Sequence, residues 1–121
     1  MRLLCADDEE DIRTILQLAL SLDSELEVEI VDSGEAAIER ARNGRFDAIL
    51  LDGMMPGLDG YETCRRLKAD PTTAHIPVVF LTAKTQKAEV EQAMALGAAT
   101  CLMKPFDPMS LAAELRAALG W

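Results

Sequence analysis

The sequence predicts an α/β fold in which helices cover both faces of one parallel β-sheet. Short apolar segments and helical segments alternate five times along the 121 residues. The apolar segments at 48–51 and 77–81 are continuous, which is typical of strands buried on both faces. This alternation produces parallel strands joined by right-handed crossovers, a doubly wound sheet. The length suits one domain over residues 1–121, and no linker or repeat divides the sequence.

A run of five acids separates the first predicted strand from the first helix. The strand is expected at 2–6, and the acids occupy positions 7–11. Asp8 or a neighbour is expected to cap the helix, because carboxylates favour a helix N-terminus. The apolar face of this helix is predicted to consist of Ile12, Ile15, Leu16 and Ala19.

The later elements are marked by their own start and stop signals. The segment 26–31 alternates apolar residues with glutamates, which indicates an edge strand. Asn43-Gly44 and Gly97 are helix stops. The remaining strands are predicted at 46–51, 77–81 and 99–103. The remaining helices are expected to begin at Ser33, to span 59–68 and 86–96, and to carry Pro108 in the first turn of the last helix.

Composition excludes several classes of protein. The chain has 21 acids against 12 bases, a formal charge of -9, and shows no basic patch of the kind that binds nucleic acid. No apolar segment approaches the roughly 20 residues needed to span a bilayer, and the start does not resemble a signal peptide. A cytoplasmic location is therefore expected. The three cysteines are widely spaced and predict neither a zinc site nor a redox pair.

Polar residues follow four of the predicted strands. Ligands bind outside the carboxyl ends of the strands in a doubly wound sheet, so these residues are expected to meet at one edge. Asp52 is especially well placed, because it ends a buried strand and precedes a loop rich in glycine and proline. The residues at the strand ends are Asp7, Asp8, Asp52, Thr82 and Lys104.

The acids in this set predict a divalent cation. Two like charges about 4 Å apart repel by about 4 kcal/mol at an effective dielectric constant of 20. One lysine cannot offset three carboxylates, whereas Mg²⁺ binds carboxylates, water and phosphate oxygens. The sequence therefore predicts a Mg²⁺ site that also accepts Mn²⁺.

Phosphoryl chemistry accounts for the other members of the set. Asp52 is expected to attack phosphorus, as carboxylates do when they form aspartyl phosphates. Lys104 and the Thr82 hydroxyl are expected to contact phosphoryl oxygens, while the small Ala83 leaves the approach to Asp52 open.

Four segments give the chain a clear resemblance to a known family. They are Cys-Ala-Asp-Asp-Glu at 5–9, Ile-Leu-Leu-Asp-Gly-Met-Met-Pro-Gly-Leu-Asp-Gly at 49–60, Phe-Leu-Thr-Ala at 80–83 and Met-Lys-Pro-Phe at 103–106. In this order and spacing they resemble the response regulator receiver domain, the CheY-like family of two-component signalling, over the whole chain. The resemblance implies strand order 2-1-3-4-5. It also implies phosphate transfer from a phosphohistidine on a sensor histidine kinase or a histidine phosphotransfer protein.

The same resemblance implies a role for individual residues. It makes Asp8, Asp52 and the backbone carbonyl of Met54 the Mg²⁺ ligands, with Asp7 acting through a water. It also implies a cis peptide between Lys104 and Pro105, which fits the general association of cis bonds with proline. Receivers usually carry Tyr or Phe three residues before the lysine, and here that position is Cys101.

The leading hypothesis is a phosphorylation-dependent switch that controls protein contacts. Self-phosphorylation and autodephosphorylation at Asp52 would be its only chemistry, so it would not be a turnover enzyme. The sequence does not decide between a free-standing receiver and the N-terminal receiver of a longer protein with a cyclic-di-GMP synthase or DNA-binding output. An aspartyl-phosphate hydrolase is less favoured, because such enzymes need Asp-x-Asp and Met54 occupies the second position. A flavin domain is disfavoured because no Ser/Thr-rich loop follows the first strand.

Overall fold

The structure is a computed structural model, and it describes residues 1–53, 55, 57–82 and 87–121, without the side chains of 87–89. Within these residues, five strands alternate with five helices. The strands are β1 (Arg2–Ala6), β2 (Glu27–Val31), β3 (Ala48–Asp52), β4 (Val78–Thr82) and β5 (Thr100–Met103). The helices are α1 (Glu10–Ser21), α2 (Gly34–Asn43), α3 (Gly60–Ala69), α4 (Lys87–Ala95) and α5 (Leu111–Leu119). The predicted start of the fourth helix, at 86, lies outside the described residues.

The strands form one parallel sheet in the order β2-β1-β3-β4-β5. This confirms the predicted fold class and strand order. Every residue of β3 and of β4 is buried, as their continuous apolar sequences predicted. β2 lies at an edge of the sheet, where Glu27 is exposed. Since all strands run the same way, their carboxyl ends share one edge.

Each face of the sheet has its own hydrophobic layer. One layer joins the sheet to α2, α3 and α4 through residues such as Ala37, Leu67 and Ala93. The other joins it to α1 and α5 through residues such as Leu16 and Leu115. The sheet is therefore covered on both sides, and the edge where its strands end is left to the loops.

The helix α1 differs from its prediction in two ways. Its buried residues are Leu16, Ala19 and Leu20, while Ile15 is 38% exposed. The stripe that meets the sheet is rotated toward Leu20, so Ile15 lies at its margin. Asp8 does not cap the helix: Glu9 occupies the N-cap position, and its side chain makes no capping hydrogen bond. The other acids of the run have different partners, described below.

The last helix begins later than Pro108 predicts. Pro108 lies in a turn before α5, in which the Asp107 carbonyl accepts hydrogen bonds from the amides of Ser110 and Leu111. Proline fits this turn because it has no amide hydrogen to place.

The start of α3 packs directly on the end of β3. The amide of Gly60 donates to the carbonyl of Gly53 over 3.3 Å. A Cβ atom at Gly60 would lie 2.1 Å from the carbonyl oxygen of Asp52. The close approach thus requires glycine, and it fixes the backbone that carries Asp52.

We expect Gly60→Ala to lower the free energy of unfolding by about 1–3 kcal/mol, because the added methyl group overpacks a contact with backbone atoms that cannot rotate away. Urea unfolding in EDTA measures this without a contribution from bound metal. An unchanged unfolding midpoint would contradict the close packing of α3 on β3.

Candidate functional site

Three carboxylates converge at the carboxyl edge of the sheet. Asp52 is the last residue of β3, and Asp7 and Asp8 follow β1, the neighbouring strand. Each offers an oxygen, and these oxygens lie within 4.8 Å of one another. Asp7 is fully buried and Asp52 is 5% exposed. The grouping of acids expected from the sequence is therefore present.

Lys104 supplies positive charge to this group from the end of β5. Its Nζ lies 3.0 Å from Oδ2 of Asp7 and 3.3 Å from Oδ1 of Asp52. Burial opposes the charged form, but the hydrogen bond to Asp7 and the charge of Asp52 outweigh it and raise the pKa of Lys104. The lysine is therefore a cation across the physiological pH range. The peptide that follows it, Lys104-Pro105, is cis, as the resemblance implied.

The two adjacent acids have different surroundings. Asp7 accepts from the Glu9 amide at Oδ1 over 3.0 Å and from Lys104 at Oδ2, so both of its oxygens have protein donors. Asp8 is partly buried, and its Oδ1 is buried with no hydrogen-bond partner. A buried carboxylate oxygen without a donor is costly, which points to a ligand at this position.

The residues at the ends of β4 and β5 complete this edge. Thr82 is the last residue of β4 and is 4% exposed. Its carbonyl accepts from the amide of Lys104 over 2.7 Å, and the Gly53 amide donates to the carbonyl of Leu81. These bonds tie the ends of β3, β4 and β5 together. Thr82 and Lys104 are therefore placed at the edge of the sheet that carries Asp52, as the sequence predicted.

Two residues assigned from the sequence lie outside the described residues. They are Met54, expected to offer its carbonyl to the metal, and Ala83, expected to leave the approach to Asp52 open. Both assignments stay predictions.

The donors at this edge suit a hard divalent cation. They are carboxylate oxygens, which Mg²⁺ prefers, and one of them is buried without a donor. The three carboxylates exceed the single positive charge of Lys104, so a cation would offset the remaining repulsion. Asp8 and Asp52 are the residues suited to hold Mg²⁺. Both oxygens of Asp7 are engaged by protein donors, and its contact with Lys104 is suited to orient that lysine.

Cys101 carries a thiol rather than an aromatic ring, and its partner on the neighbouring strand is aromatic. It lies on β5 opposite Phe80 and packs, partly buried, against the layer that includes Phe80. Phe80 stacks on Tyr61 of α3, with ring centroids 5.1 Å apart and planes inclined by 20°. Burial raises the pKa of the Cys101 thiol, which therefore stays neutral at physiological pH. The aromatic ring beside Cys101 thus comes from β4 and is stacked on a ring of α3.

Arg13 is a contact of this site that the sequence analysis did not identify. Its Nη1 donates to the backbone carbonyl of Asp7 over 3.0 Å. An arginine one turn into a helix has many possible roles, and no sequence pattern indicates that it reaches back to the loop between β1 and α1. The hydrogen bond depends on the path of the loop backbone, which side-chain patterns do not record.

We expect Asp8→Asn to raise the free energy of unfolding in EDTA by about 1–2 kcal/mol. Two charges 4.8 Å apart repel by about 3 kcal/mol at an effective dielectric constant of 20, and the ion pairs of Lys104 are made with Asp7 and Asp52 rather than with Asp8. Asp7→Asn is the comparison variant. It also loses an ion pair with Lys104, so its free energy of unfolding should rise less. Thermal unfolding in EDTA compares the two variants, and a lower Tm for Asp8→Asn would contradict the picture of unrelieved repulsion.

The same architecture is found in solved structures. The chain is similar to the chemotaxis protein CheY4 of Vibrio cholerae, with a TM-score of 0.89 and 31% identity over 97% of each chain. The receiver domain of the Francisella response regulator 1452 shares the fold at 23% identity, with a TM-score of 0.87 over 98% of this chain and 96% of that one.

Curated relatives match by sequence as well. The chain is 42% identical to the response regulator PleD of Caulobacter vibrioides over 95% of its own length and 25% of that protein. It is 36% identical to the DNA-binding response regulator MtrA of Mycobacterium tuberculosis over 98% of its length and 50% of that protein. It therefore spans a quarter to a half of the length of these relatives. The family model for the response regulator receiver domain matches residues 3–116. The chain belongs to the response regulator receiver family.

Proposed function

We propose that Asp52 accepts a phosphoryl group from a phosphohistidine on a sensor histidine kinase or a histidine phosphotransfer protein. The observation that carries the proposal is the placement of Asp52. It is held at the end of a buried strand, within reach of two further carboxylates and of the Lys104 ammonium. Membership of the receiver family supports the same chemistry.

The residues at this edge suit the transfer step. An oxygen of Asp52 forms the new bond to phosphorus as the bond from phosphorus to the donor imidazole nitrogen breaks, and the imidazole leaves with the electron pair. The Lys104 ammonium stabilises the negative oxygens of the group in transfer. The Thr82 hydroxyl donates a hydrogen bond to the phosphoryl group once it is attached. Asp7 keeps Lys104 oriented through the 3.0 Å contact.

Asp8 and Asp52, with the carbonyl of Met54, are the proposed Mg²⁺ ligands, and Asp7 acts through a water. When bound, Mg²⁺ or Mn²⁺ would neutralise charge on the carboxylate and phosphoryl oxygens. Ala83 is proposed to keep the approach to Asp52 open.

The chain is proposed to act as a switch rather than a turnover enzyme, with self-phosphorylation and autodephosphorylation at Asp52 as its chemistry. Residues 1–121 would form one receiver domain, whose phosphorylation changes its contacts with a downstream protein or an output domain. The name of one relative indicates DNA binding as one such output.

None of the helices in the described part of the chain is long and apolar enough to cross a membrane. A cytoplasmic location is part of the proposal, and the three cysteines are all free, as is usual in a reducing compartment.

We expect Asp52→Asn to abolish incorporation of phosphate from acetyl phosphate or a phosphohistidine donor in Mg²⁺, because an amide is not a competent nucleophile. Asp47→Asn is a matched control. It makes the same chemical change in an exposed residue just before β3, at the opposite end of the strand. Mass spectrometry of the intact protein measures the added phosphate. A phosphorylated Asp52→Asn protein would contradict the assignment of the acceptor.

An apolar groove beside Lys104 is suited to the protein donor. It has a volume of about 320 Å³ and lies between α1 and the segment that follows β5. Exposed apolar residues continue along α1, where Leu18 is 64% exposed. Because Lys104 itself lines the groove, a helical protein seated there could present a phosphohistidine to Asp52. The residues that line the groove are Ile12, Ile15, Lys104, Pro105, Phe106 and Pro108.

We expect Ile15→Ser to slow phosphoryl transfer from a protein donor by about tenfold while leaving phosphorylation by acetyl phosphate unchanged. Removing one apolar anchor from an interface costs about 1–2 kcal/mol, and the small donor makes no use of the groove. Met94→Ser is the control, because Met94 is 46% exposed on α4 and does not line the groove. A transfer rate from the protein donor that is unchanged in Ile15→Ser would contradict docking in this groove, without bearing on Asp52 as the acceptor.

A further inference from the structure

The loop between β1 and α1 carries two acids of the site, yet α1 has no side-chain cap. Ser33 caps α2 by accepting from the Ala36 amide, and Asp59 caps α3 by accepting from the Glu62 amide. At α1, Glu9 stands in the N-cap position and makes no such bond. The side chain that ties α1 to the loop is instead Arg13, through the carbonyl of Asp7.

Arg13 has an unusual partner for an arginine in an acidic segment. Five acids occupy positions 7–11, close to it in sequence. Even so, among the residues that the structure describes Arg13 pairs with no carboxylate, and its side-chain hydrogen bond goes to a backbone carbonyl. A surface ion pair contributes little, whereas a bond from a charged donor to a backbone carbonyl fixes the direction of a peptide.

The peptide in question joins Asp7 to Asp8. Its carbonyl is held by Arg13, and the preceding amide, that of Asp7, donates to the Val31 carbonyl over 3.2 Å. The Asp7 side chain is fixed separately, by the Glu9 amide and by Lys104. The Asp8 side chain has no comparable support, because its Oδ1 has no partner. Its direction therefore depends on the peptide that Arg13 holds.

We infer that Arg13 is a positioning residue for the metal site, holding the Asp7–Asp8 peptide so that the Asp8 carboxylate faces Asp52. This rests on the proposed function, because it assigns Arg13 a part in binding the cation of that site. The positive charge of Arg13, considered alone, predicts the opposite effect on cation affinity. Removing a positive side chain near a cation site should tighten cation binding. Loss of positioning should weaken it, by the 10–100-fold typical of residues that orient metal ligands.

The test is a comparison of Mg²⁺ affinity by isothermal titration calorimetry. We expect Arg13→Met to raise the Kd by tenfold or more, and Arg13→Lys, which keeps a charged donor, to recover most of the binding. Arg42→Met is the matched control, since it removes the same charge from an arginine that pairs with Asp70 after α3. Its Mg²⁺ affinity should equal that of the unaltered protein. Tighter or unchanged binding in Arg13→Met overturns the inference.

A second measurement does not depend on the metal. In EDTA, the backbone ¹⁵N resonance of Asp8 should shift in Arg13→Met, because the carbonyl of the same peptide loses its donor, and should return toward its original position in Arg13→Lys. An unmoved Asp8 resonance overturns the inference even if affinity falls. Failure of the unaltered protein to bind Mg²⁺ would overturn the metal part of the proposed function as well, so the two failures are distinguishable.

Discussion

Repulsion among three carboxylates at one edge of the sheet is the constraint on which the site depends. The fold brings their oxygens within 4.8 Å, and one lysine contacts two of them. The strands β3 and β4 are buried along their whole length, so Asp52 cannot move away from the other charges without disturbing the core. The protein thus holds a charge imbalance that a cation or a phosphoryl group can change. The energy of such a site depends strongly on its ligands, because negative charge exceeds positive charge when they are absent.

The backbone around Asp52 shows how the imbalance is contained. The amide of Gly53 is bound to β4, and Lys104 is bound to the end of β4 through its own amide. The helix α3 approaches the Asp52 carbonyl closely enough to require Gly60. These contacts act on the main chain, which leaves the carboxylate as the group that responds. A change of charge at Asp52 is therefore transmitted first to its electrostatic partners and to the strand ends.

The sequence predicted the sheet and the gathering of acids for a simple reason. Continuous apolar strands and regular alternation leave few topologies, and parallel strands place their ends together. The predictions that failed depend on local packing. Ile15 and Leu20 differ in burial because of the rotation of α1, which periodicity does not fix to within one residue. Arg13 was missed because its partner is a backbone carbonyl, and no side-chain pattern records such a bond.

Cys101 bears on how a signal could leave the site. The small thiol lies beside Phe80, and Phe80 stacks on Tyr61 at the start of α3. Tyr61 directly follows Gly60, the residue in contact with the Asp52 backbone. This stacked pair of rings thus connects β4 to α3, the helix that packs on the end of β3. In this chain, a rearrangement at Asp52 would reach the end of β5 through its contact with Lys104, whereas Cys101 on β5 carries a side chain too small to fill or vacate much space.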